Sequence, residues 1–307
     1  MTARGAAPPA VDARRASLGI LVAFLAPALL VYAGFTVYPV LRTFYNAFHT
    51  IKPHNIVEFA GLANFTTLLF ADPVFWKAVT NTALFTIVAT IVDVVGGLLL
   101  AVCLFARPPL APMLRVVWFT PVLMSYVVVG ILWVWIFDYD WGLANATLRF
   151  LGFGAWEQSW LGQPSTALWS VLAAHEWKWL GFNMIVFLAA LHALPSEVLG
   201  AAELDNCGWV AKLVYIIAPM LRTTIVNLTV LSFIGKMMVF DLIWVMTGGG
   251  PLWSTETVST YVYKRAFEWN TFDLGYPSAI AVLWFVIILA FVALMTRLFR
   301  PRDRLEF

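Results

Sequence analysis

Three stretches of this chain run for more than about 20 residues without a single charged side chain: residues 16–41, 116–137 and 274–296. A helix needs about 20 mostly apolar residues to cross the hydrocarbon core of a bilayer. The chain of 307 residues is 62% hydrophobic and only 12% charged, whereas a soluble domain has about 25% charged residues. These features predict a membrane-spanning protein and exclude a soluble or intrinsically disordered one.

Three further stretches are long and apolar enough to cross a membrane, but they contain ionisable residues. They are residues 78–105 with Asp93, residues 167–194 with Glu176 and Lys178, and residues 223–247 with Lys236 and Asp241. The six stretches together predict an all-α integral membrane protein with six transmembrane helices. We expect an N-terminal tail at residues 1–17, a transmembrane domain at residues 18–299 and a C-terminal tail at residues 300–307.

The distribution of basic residues between the connections predicts the orientation. On the side of both termini lie Arg4, Arg14, Arg15, Arg107, Arg115, Lys212, Arg222, Arg297, Arg300, Arg302 and Arg304. On the other side lie only Arg42, Lys52, Lys77, Arg149, Lys264 and Arg265. Because cytoplasmic connections carry the excess of Lys and Arg, we expect both termini in the cytoplasm.

The connection between the fourth and fifth stretches, at about residues 195–219, differs from the others. Ser196 can cap a helix whose first turn contains Glu197, which the helix dipole favours. On such a helix one face is shared, at three- and four-residue spacing, by Val198, Ala201, Ala202 and Asp205. The pattern predicts a short cytoplasmic helix, bounded by Pro195 and Pro219, whose small alanines let another surface approach closely.

The sequence contains no recognisable reaction centre. It lacks a G-x-x-x-x-G-K-[ST] phosphate loop, a G-x-S-x-G nucleophile elbow and an H-E-x-x-H zinc motif. The two cysteines, Cys103 and Cys207, have no metal-ligand spacing, and a net charge of +2 provides no basic field for nucleic acid. We therefore expect no catalytic residue, no metal site and no nucleic-acid partner, and energy for any active process would come from another chain.

The segment from Gly200 to Pro219 resembles the EAA loop of ATP-binding-cassette (ABC) importer permeases. That family has the pattern E-A-A, three residues, G, nine residues, I, one residue, L-P. The matching positions are Ala201, Ala202, Asp205, Ile216 and Pro219, whereas Gly200, Asn206 and Ala218 replace the family's glutamate, glycine and leucine. Further segments resemble the sugar-type subfamily: residues 240–251 (FDLIWVMTGGGP), Tyr38-Pro39, residues 61–65 (GLANF), Asn81-Thr82 and Leu194-Pro195.

The resemblance implies the type I ABC importer permease fold and a bacterial plasma (inner) membrane location. It also implies the first permease of a pair, as in maltose or glycerol-phosphate systems. Such a chain is a non-catalytic subunit that forms half of the pathway for a sugar or sugar-like solute. The implied partners are a second permease subunit, an ATPase dimer that binds ATP and Mg, an extracytoplasmic solute-binding protein and membrane lipid. No cofactor is expected in this chain.

In that family the EAA loop forms a coupling helix that sits in a groove of the ATPase. The residues that the resemblance assigns to this coupling loop are Glu197, Gly200, Ala201, Ala202, Glu203, Asp205, Asn206 and Pro219. The family's glutamate pairs with a basic residue of the ATPase, and either Glu197 or Glu203 could replace it here. The alternative is that the loop is only an amphipathic connector.

The ionisable residues inside the spans are functional candidates, since each costs several kcal/mol unless it is paired or hydrated. They could hold helices together, with Asp93 paired to Lys178 or Lys236, or they could line a polar cavity. Sugar recognition requires amides and carboxylates beside aromatic faces. The candidates for the translocation path are Asp93, Tyr126, Trp133, Glu176, Lys178, Asn183, Lys236 and Asp241.

Two other classes of function remain open from the residues alone. One is an intramembrane enzyme that uses Glu176, Asp93 or His175, although no nucleophile–base arrangement is visible. The other is a self-contained secondary transporter with Asp93 or Lys236 as a proton relay, although the two halves of the chain show no self-similarity.

Overall fold

The computed structural model describes residues 13–52, 56–269 and 273–298. Most of the first predicted tail and all of the second, at residues 300–307, lie outside these ranges. By length and composition, three helices of the described part could each cross a membrane. Counting each of three bent helix pairs as one span raises the number to six.

The spans are helical over most of their predicted length. The first consists of Ala13–Tyr32 and Tyr38–Ala47, the second of Pro73–Ile91 and Gly97–Phe105, the fourth of Ala167–His192 and the sixth of Gly275–Leu298. Single π-helical turns, Ala33–Val37 and Val92–Gly96, join the two parts of the first and second spans. The second span therefore runs continuously from Pro73 to Phe105.

The third span is broken, so the prediction of one helix over residues 116–137 is wrong. Ala111–Phe119 continues as a 3-10 turn over Thr120–Leu123, and Tyr126–Ile136 then leaves at an angle of 106°. Pro121 lacks the N–H that a continuing helix requires. Ser125 starts the new helix, because its hydroxyl accepts a hydrogen bond from the Val128 N–H at 3.3 Å.

The fifth span is broken as well, and the prediction of one helix over residues 223–247 is also wrong. Arg222–Met237 ends before three non-helical residues, and Asp241–Thr247 follows. Side chains from other elements satisfy the freed carbonyls: Trp284 donates to Met237 at 2.9 Å, and Thr257 donates to Val239 at 3.1 Å. Such partners allow a helix to break inside a membrane protein.

The connections contain the remaining elements. Strands β1 (His49–Lys52) and β2 (Ile56–Phe59) form an antiparallel hairpin in which His49 pairs with Phe59. The shorter helices are Ala63–Phe70, Leu143–Phe150, Gly154–Trp156, Ser196–Leu204, Trp209–Ala211, Ala218–Met220 and Val258–Tyr263, with π-helical turns at Lys212–Ile217 and Lys264–Glu268.

The second and fourth spans run side by side in the same direction and form the centre of the bundle. The Phe85 ring packs against His175 in the first half of each helix, and Phe105 packs against His192 where both helices end. Between them the backbones approach closely, since a Cβ on Gly97 would lie 2.6 Å from the Cβ of Asn183. The strand hairpin lies at the end of the bundle where the second span begins, here called the hairpin end: the Ile51 N–H donates to Asp273 beside the start of the sixth span, and Tyr276 of that span donates to Asp72.

Asp72 joins three elements at the hairpin end. One of its oxygens caps the second span by accepting a hydrogen bond from the Phe75 N–H at 3.0 Å. The other accepts hydrogen bonds from the hydroxyls of Tyr261 and Tyr276, each at 2.5 Å, and lies 3.4 Å from Arg265. Burial alone would raise the pKa of Asp72, but these hydrogen bonds and the Arg265 charge lower it below its ordinary 3.8.

We expect Asp72→Asn to destabilise the chain by about 2 kcal/mol at neutral pH, because it removes charge-assisted hydrogen bonds. A carboxylate with a lowered pKa stabilises the fold above its unfolded pKa, and this contribution disappears as the pH falls through the folded pKa. The difference in melting temperature between wild type and variant should therefore shrink from about pH 6 to about pH 3. Asp140→Asn, at an exposed position, serves as the control. A difference that does not change with pH would contradict this account.

Candidate functional site

A cavity of about 320 Å³ lies between the second, third, fourth and fifth spans. Its polar lining residues are Asp93, His175, Asn183, Ser232 and Lys236, and its aromatic lining residues are Tyr126, Trp179 and Phe182. Leu231 and Gly235 complete the lining. Four candidates from the sequence are therefore brought together in one place: Asp93, Tyr126, Asn183 and Lys236.

A buried ion pair joins the second and fifth spans at this cavity. The Nζ of Lys236 contacts Oδ2 of Asp93, and the Ser232 hydroxyl donates to the same oxygen at 3.1 Å. Asp93 is 0% exposed and Lys236 is 5% exposed. Of the two partners that the sequence allowed for Asp93, the structure therefore has Lys236 rather than Lys178.

Lys178 instead binds the break in the third span. Its Nζ donates to the carbonyls of Pro121, Val122 and Met124 at 3.3, 3.0 and 2.5 Å. These carbonyls lie where the helical ladder is interrupted, so that the ammonium replaces the missing backbone donors. The charge also lies 5.0 Å from the centre of the Tyr126 ring. Lys178 is not among the residues that line the cavity.

We expect Lys178→Met to destabilise the chain by about 3 kcal/mol, because three carbonyls at the break, one buried and two part-buried, lose a charged donor. The measurement is the melting temperature and the yield of monodisperse protein in detergent. Lys77→Met is the matched control, since Lys77 is exposed on the second span. Equal melting temperatures for the two variants would show that Lys178 does not hold the break.

The other polar side chains in and beside the cavity form contacts with one another or with the backbone. Nδ1 of His175 lies 3.1 Å from Oε1 of the adjacent Glu176, which is also buried. The Trp179 indole donates to the Tyr126 hydroxyl at 2.6 Å. Asn183 donates to the Trp179 carbonyl at 3.4 Å, whereas its Oδ1 is buried without a hydrogen-bond partner among the described residues. An unused acceptor therefore lies in the wall of the cavity.

Four candidates, Trp133, Glu176, Lys178 and Asp241, do not line the cavity. Trp133 packs against Phe137 and Trp177, with ring centres 5.1 and 5.8 Å away. Asp241 is exposed and forms no ion pair with another described residue. The break after Met237 separates Asp241 from the helix that carries Lys236, so the two do not share one helix as predicted.

Six lining residues were not among the path candidates from the sequence: His175, Trp179, Phe182, Leu231, Ser232 and Gly235. Ser232 precedes Lys236 by four residues, which places both on one helical face and could have indicated the shared contact with Asp93. The described residues contain no group of three or more His, Cys, Asp or Glu side chains suited to a metal ion.

At the hairpin end, two segments distant in sequence meet. The Asn81 side chain donates to the carbonyls of Trp253 and Glu256 at 2.8 and 2.9 Å, and the Val258 N–H donates to the Thr82 hydroxyl at 3.1 Å. Burial raises the pKa of Glu256, whose carboxyl accepts a hydrogen bond from Lys264 at 2.5 Å. The Asn81-Thr82 pair therefore fixes the loop that follows the triple glycine.

That loop also requires glycine at residue 249. The φ of Gly249 is +86°, and a Cβ there would lie 2.0 Å from Oε2 of Glu256. Both facts exclude an ordinary side chain at this position.

The predicted short helix is present as Ser196–Leu204, and it leaves the fourth span at 90°. The prediction that Ala202 shares a face with Val198, Ala201 and Asp205 is wrong, since Ala202 is 5% exposed and the others are exposed. Ala202 lies three residues after Leu199, which packs against the buried cluster at this end of the bundle. The exposed face consists instead of Glu197, Val198, Ala201, Leu204 and Asp205.

Asn206 closes this helix where the family pattern has glycine. Its φ is +51°, and the Cys207 N–H donates to the Ala202 carbonyl at 3.0 Å, which is the Schellman arrangement. Asparagine tolerates this left-handed conformation better than most residues. Gly200 has open space where a Cβ would lie, Pro219 is exposed in Ala218–Met220, and the side chain of Glu203 lies outside the described part.

The comparisons with known proteins agree with one another. The profile of the family "Binding-protein-dependent transport system inner membrane component" matches residues 94–304. A probable ABC transporter permease, YurN of Bacillus subtilis, is 32% identical, with 90% of this chain and 94% of that protein covered. The sulfoquinovosyl glycerol transport system permease SmoG of Agrobacterium fabrum is 32% identical, with 92% and 91% covered.

The fold has a solved counterpart. A chain in the crystal structure of a bacterial alginate ABC transporter, in complex with alginate pentasaccharide-bound periplasmic protein, superposes with a TM-score of 0.81 at 22% identity. The match covers 96% of this chain and 98% of that one. The predicted fold class and family are confirmed. The chain belongs to the family of binding-protein-dependent transport system inner membrane components, and it is a non-catalytic permease subunit of an ABC importer whose ATPase is a separate chain.

Proposed function

We propose that the chain forms half of the path by which a sugar or sugar-like solute enters the cell, and that the cavity beside Asp93 and Lys236 is part of that path. The observation that carries this proposal is the composition of the cavity wall. Hydroxyl, amide and ammonium groups of Ser232, Asn183 and Lys236 lie beside the aromatic rings of Tyr126 and Trp179. Polar groups of this kind bind hydroxyls, and aromatic faces cover the apolar faces of sugar rings.

The names of the relatives support the same class of solute. SmoG is named for sulfoquinovosyl glycerol, and a 31% identical permease of Rhizobium radiobacter, LacF, is named for lactose. Another 31% identical relative, MalF of Thermococcus litoralis, is named for trehalose and maltose.

A second permease subunit completes the path. Leu231 and Gly235 line the cavity and are themselves exposed, so one wall is open on the surface of this chain. An apolar surface next to a polar cavity suits a partner subunit better than lipid. We assign the second permease to this side.

The exposed face of Ser196–Leu204 is the surface that binds the ATPase. Leu204 is 86% exposed, and Glu197 and Asp205 flank this apolar side chain with negative charge. Glu197 can then take the role of the family's glutamate, whose position is occupied by Gly200 in this chain. ATP and Mg remain on the ATPase dimer, and this chain transmits the movement through the helix.

The orientation follows from this assignment. The short helix faces the cytoplasm together with both termini. The hairpin end faces outward and receives the extracytoplasmic solute-binding protein. This orientation agrees with the distribution of Lys and Arg between the connections.

The test is reconstitution in lipid vesicles, with the chain alone or together with the second permease, the ATPase and the binding protein. The probes are a panel of neutral and acidic disaccharides. We expect ATP-dependent uptake of at least one sugar by the full assembly and neither uptake nor ATP hydrolysis by the chain alone. Uptake by the chain alone would refute the proposal and favour a secondary transporter.

A further inference from the structure

Two buried carboxyl groups face each other beside the cavity, and each has one oxygen that lacks a donor among the described residues. These oxygens are Oδ1 of Asp93 and Oε2 of Glu176. The π-helical turn that contains Asp93 packs directly against the fourth span, which carries Glu176, and the two carboxyl groups meet at this contact. Since two ionised carboxylates can only accept hydrogen bonds, both oxygens would remain unsatisfied and the like charges would repel.

The other oxygens of the two groups are already bound. Oδ2 of Asp93 accepts hydrogen bonds from Lys236 and Ser232, which favours the ionised form of Asp93. Oε1 of Glu176 lies 3.1 Å from Nδ1 of His175, which a neutral imidazole can supply as a donor. His175 is itself buried and packs edge-on against the Phe85 ring, which disfavours a charged imidazolium, so among the described residues Glu176 faces no full positive charge at either oxygen.

The other polar groups around this pair do not change the balance of positive and negative charge. Lys178 is directed to the carbonyls of the broken third span, and Tyr126 bonds Trp179 through its hydroxyl. Within the described part of the chain, the positive charge in contact with this pair is thus the Lys236 ammonium, which binds Asp93. One cation balances one carboxylate, and the second carboxyl needs a proton.

We propose that one proton is held between the carboxyl groups of Glu176 and Asp93, carried by Glu176, and that neutral Glu176 is a positioning residue for Asp93. The hydrogen bonds then form one chain. His175 donates to Glu176, Glu176 donates to Asp93, and Lys236 and Ser232 donate to the other oxygen of Asp93. Every oxygen is satisfied, and the cluster has no net charge, as burial between spans requires.

This arrangement has a consequence for transport energetics. Asp93 and Glu176 are both buried, so the surrounding side chains separate this proton from water. Glu176 fixes the ion pair between the second and fifth spans and relays no protons during transport. Glutamine, which has the shape of the neutral acid and can donate the same hydrogen bond, should replace it.

The experiment compares wild type, Glu176→Gln and Glu176→Ala as the full importer complex in detergent, with Asp241→Asn as the exposed control. Infrared spectroscopy in H₂O and D₂O should detect the C=O stretch of a protonated carboxyl in wild type at neutral pH. We expect this band to disappear in Glu176→Gln and to persist in Asp241→Asn. The same band in wild type and Glu176→Gln, or no band in wild type, would overturn the proposal.

The pH dependence of the melting temperature is a second, independent measurement. If a carboxyl stays neutral in the folded protein but ionises in the unfolded chain, the free energy of unfolding decreases as the pH rises above about 5. Wild type should therefore lose stability relative to Glu176→Gln between about pH 5 and pH 8. At low pH the two should agree, with Glu176→Ala about 5 °C lower because the Asp93 oxygen stays unsatisfied. Glu176→Gln as unstable as Glu176→Ala would also overturn the proposal, and if Glu176→Ala does not fold, the infrared comparison decides.

Discussion

Lys236→Met should destabilise the folded subunit by about 3–5 kcal/mol, because it leaves the Asp93 carboxylate buried without its cation. A protein has only about 5–15 kcal/mol of stability in total, so the yield of folded chain should drop severely. Asp93→Asn should have a similar effect for the opposite reason, since it leaves the Lys236 ammonium unpaired. The measurements are the yield of monodisperse protein and its melting temperature.

The double variant Asp93→Asn with Lys236→Met separates packing from function. With both charges removed, we expect folding to recover to within about 1 kcal/mol of wild type. If the pair also lines the solute path, the recovered protein should fold but transport poorly. Asp241→Asn is the control, because that carboxylate is exposed and should have no effect on folding. Single variants as stable as wild type would contradict a buried, coupled pair.

Asp205→Lys combined with Ala201→Trp should dissociate the ATPase from the permease. Both residues lie on the exposed face of Ser196–Leu204, which we assign to the ATPase contact. A bulky ring and a reversed charge in a close contact should weaken binding at least about 100-fold, which corresponds to about 2.7 kcal/mol. Since neither side chain is buried in this chain, the melting temperature of the free permease should not change.

Co-purification of the ATPase with tagged permease measures this effect. Asp140→Lys introduces the same charge change at an exposed position between the third and fourth spans, on the predicted outer side, and should leave the ATPase bound. Recovery of the ATPase at the wild-type level with the double variant would mean that the short helix is only a connector.

The long apolar stretches were sufficient to predict the spans but not their breaks. The apolar stretch continues across Pro121 and Ser125, and the stretch through Met237 and Asp241 is long enough to read as one span despite its two charged residues. A break inside a membrane is stable only when distant side chains satisfy the freed backbone groups. For the third span that side chain is Lys178, which lies 54 or more positions away in the sequence. No local pattern could therefore reveal this contact.

The candidate site was predictable as a set of residues but not as a geometry. Asp93, Glu176 and Lys236 are recognisable as candidates from the sequence alone, because each is an ionisable group inside an apolar stretch. The pairing of Lys236 with Asp93 joins residues 143 positions apart, and helical periodicity says nothing about such distances. The burial of Ala202 could not be predicted either, because which face of a short helix is buried depends on how the helix packs against the rest of the bundle.

The accessibility of a cysteine at residue 235 tests the central claim, that the cavity is part of the solute path. Gly235 lines the cavity, and a Cβ there would meet no heavy atom within 4 Å. Gly235→Cys is made in a chain whose native Cys103 and Cys207 are replaced by serine, and the full importer is reconstituted in vesicles with a membrane-impermeant maleimide as the probe. We predict labelling from the cytoplasmic side in the absence of nucleotide and from the outer side when vanadate traps the ATPase with the binding protein attached. Labelling from neither side, or from one side at the same rate in both states, would contradict the assignment of this cavity to the path.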